Sequence, residues 1–280
     1  MPVATKVGMR PIGVFDSGVG GLSVLQALRA ELPDEQFIYI ADSGHAPYGE
    51  RDDTHVIHRS HAIAHHLVQK HHIKALVVAC NTATAAAIGQ LRQTYADLPI
   101  IGIEPALKPA VASSKTRRIG VMATRGTLSS GKFRKLLASL HGQATFVLQP
   151  CDGLAYAIEQ GNAIKVGAAC AHYTGAMGRF GLNSDEIDTL VLGCTHYPFA
   201  AEILQTLVGK DVIFLEGGTP VARQTRRLLA ERGQLAQPDP SDEVNVQQLH
   251  MYTTGAASLF QGAVQKWLGL HTPVQTLVIE

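Results

Sequence analysis

Residues 75–84 read ALVVACNTAT and place a cysteine directly after a short run of apolar residues. Residues 189–198 read TLVLGCTHYP and repeat the arrangement: an apolar run, one small residue, a cysteine and a threonine. Continuous apolar runs of this length are typical of strands that are buried on both faces of a parallel sheet. Because α/β proteins bind ligands at the carboxyl ends of such strands, Cys80 and Cys194 are a candidate functional pair.

Strand-like and helix-like segments alternate along nearly the whole chain. Helical spacing over 21–32 predicts a helix that ends before Pro33, and another helix is expected over about 53–72. This alternation predicts an α/β fold with mostly parallel sheets wrapped by helices. Strands are predicted at 11–16, 36–42, 74–79, 98–103, 117–124, 144–150, 188–193 and 211–216.

The two cysteine segments belong to a longer internal duplication. Residues 12–23, IGVFDSGVGGLS, resemble residues 119–130, IGVMATRGTLSS, and each copy precedes one of the two Cys-Thr strand ends. We therefore predict two pseudo-symmetric α/β lobes with the active site in the cleft between them, and we expect the C-terminal part to complete the first lobe. The predicted first lobe comprises residues 10–105 plus 216–280, and the second comprises residues 106–215.

The composition excludes several classes of protein. Lys and Arg number 24 and Asp and Glu number 23, so no broad basic surface indicates a nucleic-acid partner. No apolar window of about 18 residues indicates a membrane span, and the first ten residues lack the apolar core of a secretory signal. We therefore expect a cytoplasmic protein. The most linker-like stretch of the chain is DPSDE at 239–243.

The chain contains four cysteines: Cys80, Cys151, Cys170 and Cys194. None forms a C-x-x-C pair, so we expect no zinc site. One buried cysteine is usually a small hydrophobic residue, but here a helix start is predicted after each member of the matched pair. Unpaired backbone N–H groups at a helix start attract anions and lower a thiol pKa toward neutrality. Thr82 and Thr195 add hydroxyls, and His196 is expected on the same face as Cys194.

A glycine-rich segment, DSGVGG at 16–21, follows the first strand. It lacks the G-x-G-x-x-G pattern of dinucleotide-binding proteins, so it predicts a loop for a small ligand. Asp16 could accept a hydrogen bond from a substrate ammonium or assist a thiol, and Ser17 could donate one. A simple helix N-cap is the alternative for both residues.

Two further segments carry weaker signals. HAPYG at 45–49 is either an ordinary turn or a loop in which Tyr48 and Gly49 present N–H groups to a carboxylate. Glu159 lies just before a glycine that ends a predicted helix, where a solvated charge is the usual outcome.

Histidines crowd the segment 53–72, and His61 and His65 have the i,i+4 spacing of a metal pair. No glutamate lies between them as in H-E-x-x-H, and no third ligand is evident. We therefore expect a solvent-facing helix and no metal site.

Five segments together resemble the glutamate racemase family, within the aspartate/glutamate racemase superfamily. The resemblance covers about 12–225 and departs from the family pattern at LEGGTP, 215–220. Its segments, in order along the chain, are FDSGVGGLSV, ADSGHAPYGER, VVACNTATA, GIEPALKPA and VLGCTHYP.

The resemblance implies cofactor-independent interconversion of L- and D-glutamate, which supplies D-glutamate for peptidoglycan. It implies that Cys80 and Cys194 are the two acid/base residues and that Asp16, Glu159 and His196 assist them. Homodimers are common in such enzymes, and activation by a cell-wall precursor is left open. The residues that the resemblance assigns to substrate binding are Asp16, Ser17, Tyr48, Gly49, Asn81, Thr82, Thr195 and His196.

Three other functions compete with this interpretation. A racemase of the same superfamily that acts on aspartate or a hydantoin would keep both cysteines and change the pocket. A thiol hydrolase would use Cys194 as nucleophile and His196 as base, and would not need Cys80. A binding protein with a vestigial site has no supporting sequence feature.

Overall fold

The computed structural model describes residues 7–237 and 248–280, so the linker-like stretch at 239–243 lies outside the described residues. No helix within these two ranges is long and apolar enough to span a membrane. The strands are β1 (Ile12–Asp16), β2 (Phe37–Ala41), β3 (Ala75–Val78), β4 (Ile100–Gly102), β5 (Arg118–Ala123), β6 (Thr145–Pro150), β7 (Thr189–Leu192), β8 (Ile213–Leu215), β9 (Leu249–Thr253) and β10 (Val274–Thr276). The helices are α1 (Leu22–Glu31), α2 (Asp53–His71), α3 (Asn81–Thr94), α4 (Leu107–Ser113), α5 (Arg125–Ser129), α6 (Gly131–Ala138), α7 (Leu154–Glu159), α8 (Ala163–Met177), α9 (Ala201–Val208), α10 (Gly218–Glu231) and α11 (Ala257–Leu268).

The larger sheet has six parallel strands in the order β10-β9-β2-β1-β3-β4. Val14 of the central strand β1 pairs with Tyr39 of β2 and with Val77 of β3. Every residue of these three strands is buried, as expected for apolar strands covered on both faces. Side chains of α1, α10 and α11 form the core on one face, and side chains of α2 and α3 form it on the other.

The smaller sheet has four parallel strands in the order β6-β5-β7-β8. This order repeats β2-β1-β3-β4 of the larger sheet, strand for strand. Gly13 and Gly120, which are equivalent in the duplicated sequence, lie in the equivalent strands β1 and β5. The α/β class and the two pseudo-symmetric halves are therefore confirmed.

Both cysteines lie at the carboxyl edge of a sheet. In each case one further backbone hydrogen bond continues the sheet pairing beyond the last residue of the preceding strand, which is β3 for Cys80 and β7 for Cys194. The N–H of Ala79 donates to the carbonyl of Phe15 at 2.8 Å, and the N–H of Gly193 donates to the carbonyl of Met122 at 2.7 Å. The next residue in each case is the cysteine, so equivalent bonds place Cys80 and Cys194 at equivalent positions.

The C-terminal part returns to the larger sheet, where β9 pairs with β2 and β10 pairs with β9. All strands of the larger sheet lie within 12–102 and 249–276, and those of the smaller sheet lie within 118–215. The divergent LEGGTP segment spans the end of β8 and the start of α10, which packs against α1. The boundaries of the two lobes stay a prediction that these positions support.

One helix expectation is wrong. The chain does not enter an α-helix directly after Cys194, because a 3-10 turn (Tyr197–Ala200) comes first and α9 begins only at Ala201. The backbone hydrogen bonds here join residues three positions apart: the N–H of Tyr197 donates to the Cys194 carbonyl, and the N–H of Phe199 donates to the His196 carbonyl. Pro198 has no N–H to donate, so it is compatible with this tighter turn.

The histidine-rich helix α2 is amphipathic, so the expectation of a solvent-facing helix holds for one of its faces only. Val56, Ile63 and Leu67 pack into the core. His58 and His65 are exposed, whereas His61 is half-buried. Within the described ranges, no group of three or more His, Cys, Asp or Glu side chains has the geometry to hold a metal ion.

Candidate active site

A cleft of about 570 Å³ lies between the carboxyl ends of the two sheets. Parallel α/β sheets commonly bind small ligands at this edge. Asp16 is fully buried and lies behind the cleft wall. The other predicted site residues all line the cleft: Ser17, Tyr48, Gly49, Cys80, Asn81, Thr82, Glu159, Cys194, Thr195 and His196.

Cys80 caps the first turn of α3, and its sulfur accepts a hydrogen bond from the N–H of Ala83 at 3.5 Å. Burial nevertheless raises the pKa of the Cys80 thiol above its ordinary range, and the nearby Asp16 raises it further. The expectation that the helix start lowers this pKa is wrong for Cys80, because loss of hydration outweighs one N–H donor. The Cys80 thiol also points to the Ser17 hydroxyl at 3.9 Å.

Cys194 has a different neighbour, because its sulfur lies 3.8 Å from Nδ1 of His196. Nε2 of the same ring lies 2.8 Å from Oε2 of Glu159. Burial alone would lower the pKa of His196, but its hydrogen bonds to Cys194 and Glu159 hold that pKa well above the usual value. The ring is therefore a cation at neutral pH that can donate to the sulfur.

Glu159 is not the solvated charge that its place in the sequence indicates. Its side chain is 9% exposed, and its carboxylate accepts hydrogen bonds from the N–H of Val19 and the hydroxyl of Ser43 as well as from His196. Burial raises the pKa of Glu159, but these three donors outweigh burial and lower it below the ordinary value. The carboxylate is thus ionised beside the His196 cation.

Asp16 ends β1 and connects the two cysteine segments. Its Oδ2 accepts from the Thr195 hydroxyl at 2.9 Å, and its Oδ1 accepts from the N–H of Gly18 at 2.8 Å and from the Ser17 hydroxyl at 3.4 Å. Burial raises the pKa of Asp16 to about 6, although the His196 cation opposes the shift. A path of hydrogen bonds therefore runs from Cys80 through Ser17 to Asp16.

The loop that carries Tyr48 and Gly49 is held by a buried group that the sequence analysis missed. Asp42 is fully buried and accepts from the Tyr48 hydroxyl, from two nitrogens of Arg59 at 3.0 Å and from the Thr254 hydroxyl at 2.8 Å. At Gly49, an added Cβ would lie 2.7 Å from Cγ2 of Thr124 across the cleft, so the loop needs glycine there.

Thr124 is a second residue that the analysis missed. It follows β5 at the same edge of the sheet, lines the cleft, and its hydroxyl lies 3.0 Å from the Thr82 hydroxyl. The duplicated sequence contained the signal, because Thr124 comes directly after the strand that matches β1.

Asn81 contributes an acceptor that the protein leaves open. The residue is 5% exposed, and its Oδ1 accepts no hydrogen bond from any of the described residues. A buried amide oxygen without a donor costs free energy. Because Asn81 lines the cleft, a ligand with an N–H group would satisfy it.

Comparison with known proteins connects this geometry to one family. The family model described as Asp/Glu/Hydantoin racemase matches residues 12–222. The chain belongs to this racemase family. The glutamate racemase of Ectopseudomonas mendocina (strain ymp) is 48% identical over 226 residues, which cover 81% of this chain and 84% of that protein.

Solved structures of family members have the same fold over nearly the whole chain. Glutamate racemase from Bacillus anthracis superimposes with a TM-score of 0.81 at 32% identity and covers 96% of this chain and 97% of its own. Escherichia coli glutamate racemase, solved with L-glutamate and the activator UDP-MurNAc-ala, has a TM-score of 0.81 at 29% identity, with coverages of 97% and 99%. The resemblance drawn from the five sequence segments is confirmed.

Proposed function

We propose that this racemase interconverts L- and D-glutamate by moving one proton between two facing thiols. One observation carries the proposal: two cysteines at equivalent strand ends of a duplicated sheet line the same cleft. Racemisation removes the α-proton from one face and returns a proton to the other, so it needs a base on each side. A duplicated protein with one cysteine per half supplies both.

Each thiol has its own supporting group. Cys194 lies beside the His196 cation, so its thiolate form receives a charge-assisted hydrogen bond. Burial and Asp16 keep Cys80 as a neutral thiol. This arrangement suits the enzyme form that acts on L-glutamate: Cys194 takes the α-proton, and the S–H of Cys80 protonates the opposite face.

The remaining cleft residues hold the substrate. We assign the hydroxyls of Thr82 and Thr195 and the N–H groups at the start of α3 as hydrogen-bond donors to the α-carboxylate. Donors at this position stabilise the negative charge of the carbanion. The open Oδ1 of Asn81 accepts from the α-ammonium, which Asp16 also attracts. The N–H groups of Tyr48 and Gly49 bind the side-chain carboxylate. These contacts require no pyridoxal phosphate.

We extend the proposal to the setting of the enzyme. Its product supplies peptidoglycan synthesis in the cytoplasm. The enzyme is a homodimer, and the boundaries between the two lobes of each chain lie at 105/106 and 215/216. The Escherichia coli relative has an activator, UDP-MurNAc-ala, and a rate assay with and without that compound tests whether this chain responds as well. Assays with aspartate and with a hydantoin in place of glutamate test the competing interpretation, because an enzyme whose pocket fits glutamate should turn over neither compound.

Solvent deuterium tests the two-thiol reaction. In D₂O, early product formed from L-glutamate should carry deuterium at Cα, because Cys80 has exchanged with solvent, while recovered L-glutamate should carry little. Equal early labelling of substrate and product would contradict two separate bases. Without added cofactor, and after dialysis against EDTA, activity should persist.

Two cysteine variants complete the test. Cys80→Ala and Cys194→Ala should each lose at least about 10³-fold in kcat, since each lacks the base for one face. Cys170→Ala is the matched control, because it removes a fully buried thiol of α8 outside the cleft. Turnover near that of the control in either active-site variant would contradict the mechanism.

A further inference from the structure

Ser43 is the first residue after Asp42 at the carboxyl end of β2, in a 3-10 turn (Ser43–His45). Its side chain leaves the larger sheet's half of the molecule and contacts the last residue of α7. The Ser43 hydroxyl donates to Oε1 of Glu159 at 2.8 Å. Ser43 was not among the predicted site residues, and its side chain does not line the cleft.

The Glu159 carboxylate is fixed from three directions. Oε1 accepts from Ser43, and Oε2 accepts from the N–H of Val19 and faces Nε2 of His196, each at 2.8 Å. The carboxylate also packs directly on the backbone of Gly18, where an added Cβ would lie 2.2 Å from Oε2. Among the described residues, Ser43 is the only side chain that donates a hydrogen bond to Oε1, so its loss would let the carboxylate rotate about the bonds at Oε2.

We propose that Ser43 is a positioning residue of the reaction: through Glu159 it holds His196 in contact with Cys194. The inference rests on the proposed proton-transfer role of Cys194. The series of contacts passes from Ser43 Oγ to Glu159, then to Nε2 of His196, and from Nδ1 to the sulfur at 3.8 Å. Because Nε2 contacts Glu159 and Nδ1 contacts the sulfur, a rotation of the ring about the Glu159 contact displaces Nδ1 and changes its distance to Cys194.

This role predicts an effect on one of the two proton transfers. The enantiomers of glutamate have equal free energies, so kcat/KM must stay equal in both directions for every variant. Isotope effects distinguish the two proton transfers, because Cys194 accepts the proton when the Cα–H bond of L-glutamate breaks and Cys80 accepts it when the Cα–H bond of D-glutamate breaks. A slower transfer at Cys194 raises the primary isotope effect for L-[2-²H]glutamate and lowers it for D-[2-²H]glutamate.

The experiment compares Ser43→Ala with Ser43→Thr, which keeps the hydroxyl, and measures initial rates by circular dichroism with both labelled enantiomers. Ser43→Ala should lose about 10- to 100-fold in kcat/KM, as for other small displacements of catalytic groups. Its two isotope effects should move in opposite directions, and Ser43→Thr should restore the wild-type values. Ser43→Cys, a weak donor of similar size, should shift them in the same way and can be measured if the alanine variant does not fold.

Lys132→Met is the matched control. Lys132 of α6 pairs with Glu104 at 3.5 Å and joins the two halves of the molecule away from Glu159. The control should leave the ratio of the isotope effects unchanged. If Ser43→Ala loses activity without changing that ratio, or keeps activity within about twofold, Ser43 has no positioning role. If the wild-type enzyme itself shows no primary isotope effect and no α-deuterium in the product, the proposed function fails instead.

Discussion

Replacing Arg59 by methionine tests how strongly one buried ion pair holds the cleft loop. Arg59→Met retains an unbranched side chain but removes the two N–H groups that Asp42 accepts at 3.0 Å. The Arg59 and Asp42 side chains are 5% and 0% exposed. The substitution therefore leaves a carboxylate in a poorly hydrated site without its guanidinium partner, while Nδ1 of His45 still lies 3.1 Å from Oδ1 of Asp42.

Removal of one partner from a buried ion pair costs about 3–5 kcal/mol of stability. Tyr48 and Thr254 still donate to Asp42 in the variant. We therefore expect the lower end, a loss of about 3 kcal/mol in the free energy of unfolding at pH 7. Because the Tyr48 hydroxyl is bonded to the same carboxylate, KM for glutamate should rise as well.

Urea unfolding followed by circular dichroism measures the loss. Arg227→Met is the matched control, because Arg227 pairs with Glu231 on the surface of α10, where the side chains are 55% and 54% exposed. Such a pair contributes less than about 1 kcal/mol. The double variant Arg59→Met with Asp42→Asn should recover stability relative to Arg59→Met alone, since it removes the unpaired charge.

The loss should also depend on pH with a definite sign. Burial alone would raise the pKa of Asp42, but Arg59, Tyr48 and Thr254 outweigh burial and lower it below the ordinary value. The wild-type pair therefore stabilises the fold above the unfolded pKa of about 3.9, and this contribution disappears as pH falls through the lower folded value. In Arg59→Met, Asp42 should bind a proton at higher pH than in the wild type. The difference in the free energy of unfolding between the two proteins should therefore become smaller as the pH is lowered. A loss at pH 7 no greater than that of Arg227→Met would refute this reasoning.

Three further changes test the cleft. Gly18→Ala places a Cβ 2.2 Å from Oε2 of Glu159, so kcat should fall at least about tenfold with an unchanged far-ultraviolet spectrum. Gly49→Ala directs a Cβ at Thr124, 2.7 Å from Cγ2, and steady-state kinetics should show a rise in KM of about tenfold. Burial raises the pKa of Asp16 to about 6, so kcat/KM should decline below that pH as the carboxylate binds a proton, and Asp16→Asn should have a lower plateau without this decline. An unchanged profile in that variant would assign the decline to another group.

Much of the architecture was predictable because it depends on local patterns. Apolar runs predicted β1 to β8, and the recurrence of one strand-turn pattern predicted the duplication. The strands β9 and β10 were not predicted individually. β10 lies at the sheet edge, has only three residues and buries none of them fully, and β9 buries only Met251 and Thr253 fully, so neither is a continuous buried apolar run. The delayed start of α9 depended on the turn around Pro198, which a strand-to-helix rule does not describe.

For the site, the residues that follow strands were identifiable from the sequence, because their position along the chain sets their position at the sheet edge. Contacts between distant segments were not. Ser43 and Glu159 meet only because the two halves pack together, and the Asp42–Arg59 pair joins β2 to a helix whose sequence indicated only a solvated face.

The sequence by itself determined that two matched thiols end two matched strands, because strand periodicity and duplication are properties of neighbouring residues. Only the tertiary structure decided the surroundings of each thiol. Burial raises the pKa of Cys80, while a buried carboxylate from another element keeps His196 charged beside Cys194. Hydration and distance set these charges, and both depend on which segments pack together in space.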